Sequence, residues 1–160
     1  MIAGQFNYQD TSCTHIGIGV FVNGKERIYQ VSDEAGPGHS ALQADTLESF
    51  LHGYDVYYFS IWKSAASLQA RERLQAVCES YRKKKITFDA GFRLGDGDTL
   101  YCSEFCQQIL KQLGYDFRPR ETKLQNPFQI SFLERDTLYY FPVDFFQKNK
   151  RFTKIAEGRF

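Results

Sequence analysis

The 160 residues carry 20 Lys and Arg against 19 Asp and Glu, a formal charge of +1 that lacks the basic excess of a dedicated nucleic-acid binder. With 42% hydrophobic and 24% charged residues, the composition excludes a disordered chain, and the length suits one domain over residues 1–160. No apolar run is long enough to span a bilayer. The start, Met1–Phe6, lacks the basic and apolar regions of a signal peptide, so a cytoplasmic protein is expected.

Taken in chain order, residues 15–22 form a short apolar, β-branched run, Asn23-Gly24 follows, and residues 26–31 alternate again. Asn-Gly suits the positive φ angles of a type I′ turn, so a hairpin is predicted here. Asp33 to Gly38 reads as a loop, and Asp45 to Leu51 as a short helix with Asp45 as its cap and Glu48 three residues on. Residues 54–61 read as a strand. The clearest helix runs from Ser67 to about Lys84, with Leu74, Val77, Cys78 and Tyr81 at helical spacing. Its basic tail, Arg82-Lys83-Lys84-Lys85, complements the negative end of the helix dipole and reads as a solvated helix end. Residues 86–100 hold a short β-like piece and then a turn over 95–98. A second helix is predicted from Cys102 or Ser103 to Leu113, stopped by Gly114, and a late strand over Leu138 to Phe141, ended by Pro142. These elements give an α+β class, an antiparallel sheet packed against helices.

The four cysteines, Cys13, Cys78, Cys102 and Cys106, follow neither a disulfide framework nor a zinc-finger pattern, so no metal is expected. Cys102 follows a loop and opens a predicted helix, where unpaired N–H groups and the positive dipole end favour a thiolate. Position alone leaves it open between a packed structural thiol and an activated one. Cys106 lies one turn further in, on the packed face, and Cys78 belongs to the apolar stripe of its helix. His15 opens an apolar strand, and His39 and His52 sit near turns and read as surface residues.

Thr14-His15-Ile16-Gly17-Ile18-Gly19-Val20 resembles the Ser/Thr-His-x-Gly-Ile segment of permuted NlpC-like, papain-fold cysteine hydrolases. Leu100-Tyr101-Cys102-Ser103-Glu104-Phe105 resembles their Tyr-Cys-Ser-Glu motif, and the YiiX/YebB-like (YaeF/YiiX) group is the most similar. Ile28-Tyr29-Gln30, Ala35-Gly36-Pro37-Gly38 and Tyr140-Phe141-Pro142-Val143-Asp144 agree as well, so the resemblance covers roughly residues 14–146. It implies a circularly permuted papain-like (NlpC-type) fold, in which the histidine strand precedes the cysteine helix. It further implies a cysteine peptidase- or amidase-like hydrolase that cleaves an amide or ester bond without metal or organic cofactor. The substrate expected is a small peptide, an amide or a lipid-like acyl group.

By this resemblance Cys102 is the nucleophile and His15 the general base, with Tyr101 and Glu104 as neighbouring substrate-binding candidates. The third, His-orienting position is usually an acid, and here it falls on Gln30, with Asp33 and Glu34 as acids that could substitute. A glutamine can fix an imidazole tautomer but cannot offset the charge of an imidazolium. That departure keeps one rival open, a silent peptide- or lipid-binding module on the same fold; a thiol acyltransferase is a third reading, which uses the same nucleophile and differs only in the acceptor. Relatives also carry a longer strand and loop before the histidine than Gly4-Gln5-Phe6 supplies.

Overall fold

The computed structural model describes residues 3–36, 38–52, 56–95 and 97–160. Among these the strands are β1 (Ile18–Val22), β2 (Lys25–Val31), β3 (Leu42–Asp45), β4 (Tyr58–Ser64), β5 (Thr87–Phe88), β6 (Thr99–Leu100), β7 (Arg120–Lys123), β8 (Thr137–Tyr140) and β9 (Phe152–Arg159). The helices are α1 (Leu47–His52), α2 (Leu68–Arg82), α3 (Cys102–Gln112) and α4 (Pro127–Leu133).

β1 and β2 make the predicted hairpin, with Asn23 and Gly24 both at positive φ, 52° and 77°, as a type I′ turn requires. β3 extends it antiparallel to β2, pairing Gln30 with Gln43 and Ile28 with Asp45. Side chains alternate across a strand, so Tyr29 and Val31 enter the core while Gln30 points to the opposite face. All three are nonetheless buried, because both faces of β2 are covered here.

The helix-facing side carries the main core. Tyr29, Val31 and Leu42 meet Leu74 and Cys78 of α2 and Phe105, Cys106 and Ile109 of α3. α2 keeps its predicted span because Ser67 caps it, accepting from the Ala70 N–H at 3.2 Å. α3 ends as expected on Gly114, at φ 78°, whose N–H returns to the Lys111 carbonyl. A second cluster, Phe6, Tyr101, Leu124, Leu133, Leu138 and Tyr140, packs below the start of α3.

Several expectations are corrected. The antiparallel pairing does not form one sheet: beside the β1–β2–β3 sheet stand separate β4–β9 and β7–β8 ladders, and β5–β6 is parallel. The strand expected over 54–61 runs from Tyr58 to Ser64, because β9 pairs along Tyr58–Ser64; residues 53–55 lie outside the described ones. Within the expected loop and turn, Pro37 and Asp96 also lie outside them. The helix near residue 45 begins one turn-position later. Thr46 Oγ1 accepts from the Ser49 N–H at 3.0 Å, so Thr46 caps α1 and Asp45 ends β3 instead. β3, β7, α4 and β9 are additions to the expected elements, although Asn126-Pro127 is a helix-start signal and the Asn126 side chain does cap the Phe128 N–H at 2.9 Å.

Candidate active site

His15 precedes the ladder, since β1 starts only at Ile18 and residues 15–17 are not paired as strand. Its position depends on what lies beside Gly17. A Cβ there would stand 2.8 Å from Ile28 Cγ2, 3.1 Å from the Tyr29 carbonyl oxygen and 3.2 Å from the Phe50 ring. Only glycine lets the chain pass that close to β2. Phe50 of α1 also packs on the imidazole, with ring centroids 5.7 Å apart.

The imidazole is held from two sides. His15 Nε2 lies 2.6 Å from Gln30 Oε1, and the ring is hydrogen-bonded to the Cys102 thiol. With Nε2 taken by Gln30, Nδ1 is the nitrogen left for the sulfur. Gln30, rather than Asp33 or Glu34, makes the direct contact. Both acids are exposed on a short turn capped by Ser32, from which the Glu34 charge still acts on the ring. Gln30 Nε2 in turn donates to Asp45 Oδ2 at 2.7 Å. The sequence alone makes Asp45 a helix cap; its separation of 15 residues from Gln30 carries no signal, because only the β2–β3 register brings the two together.

Cys102 is the first residue of α3, and Tyr101 before it makes no side-chain cap, so the N–H groups of the first turn keep their capacity for an anion. Burial opposes ionisation of the Cys102 thiol. The hydrogen bond and charge of His15, with the N–H groups of Ile16 and Ser103, outweigh it and bring the thiol below its ordinary value. His15 answers in the opposite sense: burial disfavours its charged form, but Cys102, then Gln30 and Glu34, raise it above its ordinary value. The pair is therefore biased toward thiolate and imidazolium. The other thiols go the other way. Burial pushes Cys13 up to about 11 and Cys78 up to about 12, and holds Cys106 well above its usual range.

Tyr101 and Glu104 do not join this cluster. The Tyr101 hydroxyl accepts from the Phe141 N–H at 2.8 Å and the side chain is 1% exposed, an anchoring contact. Ser103 Oγ donates to the Phe141 carbonyl at 2.6 Å, so two residues of the motif fix the helix start to the 141–144 segment. The void bounded by Cys102, Ser103, Phe141 and Pro142 is only about 10 Å³, room for about one water. Glu104 instead lines a surface cleft of about 520 Å³ with Gln107, Gln108 and Lys111.

Glu104 accepts from the Gly95 N–H at 3.1 Å through Oε1, while Oε2 is buried without a partner. Burial, only partly offset by that N–H, raises its carboxyl from 4.5 to about 7. The folded chain thus holds a proton that the unfolded chain has released, so this group lowers stability progressively as pH rises from 4.5 to about 7. Glu104→Gln should flatten that fall and stabilise the protein above pH 7, by on the order of 2–3 kcal/mol. Urea unfolding of both forms at pH 5 and pH 8 checks this; equal gains at the two pH values would refute it.

The sequence matches no protein-family model, and no curated protein matches it. Among solved structures, the chain is similar to metalloprotein yiiX from Escherichia coli O157:H7, with a TM-score of 0.72 at 16% identity over 98% of this chain and 89% of that one. In this chain no group of three or more His, Cys, Asp or Glu among the described residues is placed to hold a metal ion. Likewise, no helix among the described residues is long and apolar enough to cross a membrane. What the likeness establishes is the fold: this chain shares the mixed α/β architecture of yiiX along nearly its whole length.

Proposed function

We propose that the protein is a cysteine hydrolase that cleaves an amide or ester bond through an acyl-enzyme on Cys102. The observation that carries this is the line Cys102–His15–Gln30, in which the thiol at an uncapped helix start is lowered while every other thiol is raised. The permuted papain-like arrangement implied by the two sequence motifs supports the same reading, since the histidine hairpin precedes the cysteine helix in the chain.

The chemistry follows from the ion pair. The Cys102 thiolate attacks the carbonyl carbon, an S–C bond forms, and the carbonyl π pair moves to oxygen. The uncapped N–H groups of the first turn of α3 are the donors this reading assigns to that developing charge. The tetrahedral species collapses, the C–N or C–O bond breaks, and the His15 imidazolium gives its proton to the leaving amine or alkoxide. Neutral His15 then takes a proton from water, whose oxygen attacks the thioester, and the carboxylic acid leaves as the thiolate–imidazolium pair reforms. Gln30 Oε1 accepts from Nε2–H throughout and keeps the ring in place.

Incubation with activated aryl esters and iodoacetamide, followed by peptide mapping, tests the reading. Cys102 should carry the acyl or carboxamidomethyl group near neutral pH before Cys13, Cys78 and Cys106. Four thiols of equal reactivity would overturn it and favour the silent binding module. An acyl-Cys102 that passes to added amine rather than to water would make the protein an acyltransferase.

A further inference from the structure

Resting on the hydrolase reading, we infer that Asp45 is a positioning residue that acts on His15 through Gln30, fixing which end of the Gln30 amide faces the imidazole. The two ends of a glutamine amide have opposite roles: the oxygen only accepts and the nitrogen only donates. If the nitrogen faced His15 Nε2, that ring atom would have to be bare, and the proton would sit on Nδ1, toward the sulfur. Such a ring cannot take a proton from the thiol, and an imidazolium would be repelled. With the oxygen facing it, Nε2 keeps its hydrogen, so Nδ1 is the atom that exchanges a proton with Cys102.

Gln30 alone has no preference between these orientations. A carboxylate beside it does, because it can only accept. Asp45 Oδ2 lies 2.7 Å from Gln30 Nε2, which commits the nitrogen outward and leaves Oε1 against His15 Nε2 at 2.6 Å. Gln30 is 3% exposed, so water competes poorly for either end. The sheet supplies the geometry. Gln30 pairs with Gln43 and Asp45 with Ile28, which makes Gln30 and Asp45 diagonal neighbours on one face of the β2–β3 pair. The hydrogen on the far side of the sulfur's base is therefore placed by a carboxylate two hydrogen bonds away. Asp45 acts through the Gln30 amide that it holds.

The test replaces the acceptor and then supplies it elsewhere. In Asp45→Asn the new amide can face Gln30 with either end, so Gln30 loses its fixed orientation. In the double variant Gln30→Glu with Asp45→Asn, a carboxylate next to His15 accepts from Nε2–H directly, and the amide introduced at position 45 can donate to that carboxylate. Ring 15N shifts of His15 read the protonation of each nitrogen, and the pH profile of Cys102 alkylation reads the ion pair. Wild type and the double variant should keep Nε2 protonated. Asp45→Asn should show a bare Nε2 population and an alkylation profile moved up by about one pH unit, roughly tenfold slower at pH 6.5. A purely structural Asp45 would lower the melting temperature of Asp45→Asn and leave both readouts unchanged; that result, or failure of the double variant to restore Nε2–H, overturns the inference. The 15N readout needs no turnover, so it decides on Asp45 even if Cys102 proves no more reactive than the other thiols.

Discussion

His15→Ala should slow iodoacetamide modification of Cys102 at pH 7 by roughly 10- to 100-fold, and move its rate–pH curve to higher pH. Cys102 is 8% exposed, so burial alone disfavours its thiolate. In the intact site the hydrogen bond and charge of His15 are the largest contributions that overcome that cost. Remove the ring, and the N–H groups of Ile16 and Ser103 remain, while the larger opposing effect of burial no longer has a match. The thiol should then move toward the behaviour of Cys106, one turn along the same helix, where burial acts without those N–H groups. Cys13 and Cys78 serve as internal standards in the same mass-spectrometric experiment, because neither touches His15 and their slow modification should not change. An unaltered Cys102 profile in a folded His15→Ala protein would show that the helix start, not the imidazole, sets the thiol, and the base assignment would fall.

Asp144→Ala should cost about 3 kcal/mol of stability, read as a lowered denaturant midpoint at unchanged slope. The Asp144 side chain is 2% exposed and its two oxygens accept from three successive N–H groups: Tyr8 at 2.8 Å, Gln9 at 2.7 Å and Asp10 at 3.2 Å. Alanine leaves all three donors without that acceptor. Around this clamp, Asn7 Oδ1 accepts from the Val143 N–H at 3.0 Å, and Arg120 Nη1 donates to the Phe6 and Asn7 carbonyls. The Tyr140 hydroxyl also donates to the Phe6 carbonyl. Residues 6–10 are thus tied to 140–144, the segment that Tyr101 and Ser103 also grip. The clamp fixes the chain leading to His15 against the segment that holds Cys102. Asp144→Ala should therefore slow Cys102 alkylation as well as weaken the fold, whereas Glu104→Gln changes stability without loosening that link. Asp144→Asn, which keeps one accepting oxygen, should fall between wild type and alanine. Full stability in Asp144→Ala would mean that water replaces the carboxylate at no cost.

How much of this is legible in the sequence depends on the range of each interaction. The β1–β2 hairpin is readable because Asn23-Gly24 sets the turn and its register locally. α2 and α3 are readable because their apolar stripes and their ends, Ser67 and Gly114, lie within or beside the helices' own sequence. Cys102 at a helix start is a local fact too, and so is its contrast with Cys106. Thr46 escapes notice as the cap of α1 because Asp45 offers the same chemistry one residue earlier; what decides between them is that β3 claims Asp45 for pairing with Ile28.

By itself, then, the sequence determined the thiol, the histidine, the order in which they occur and the local elements that carry them. Tertiary structure alone decided their partners. The pairing of β2 with β3 set Asp45 behind Gln30, the close passage at Gly17 set His15 beside Gln30, and Asp144 tied the N-terminal segment to the 141 segment. The physical reason is that helix starts and tight turns are fixed by contacts a few residues apart, whereas a hydrogen-bond line through a helix, the segment before β1 and two strands exists only once the chain has closed on itself. Cys102 shows both halves. Its place at the head of α3 is written locally, and its lowered thiol comes from a ring 87 residues earlier in the chain.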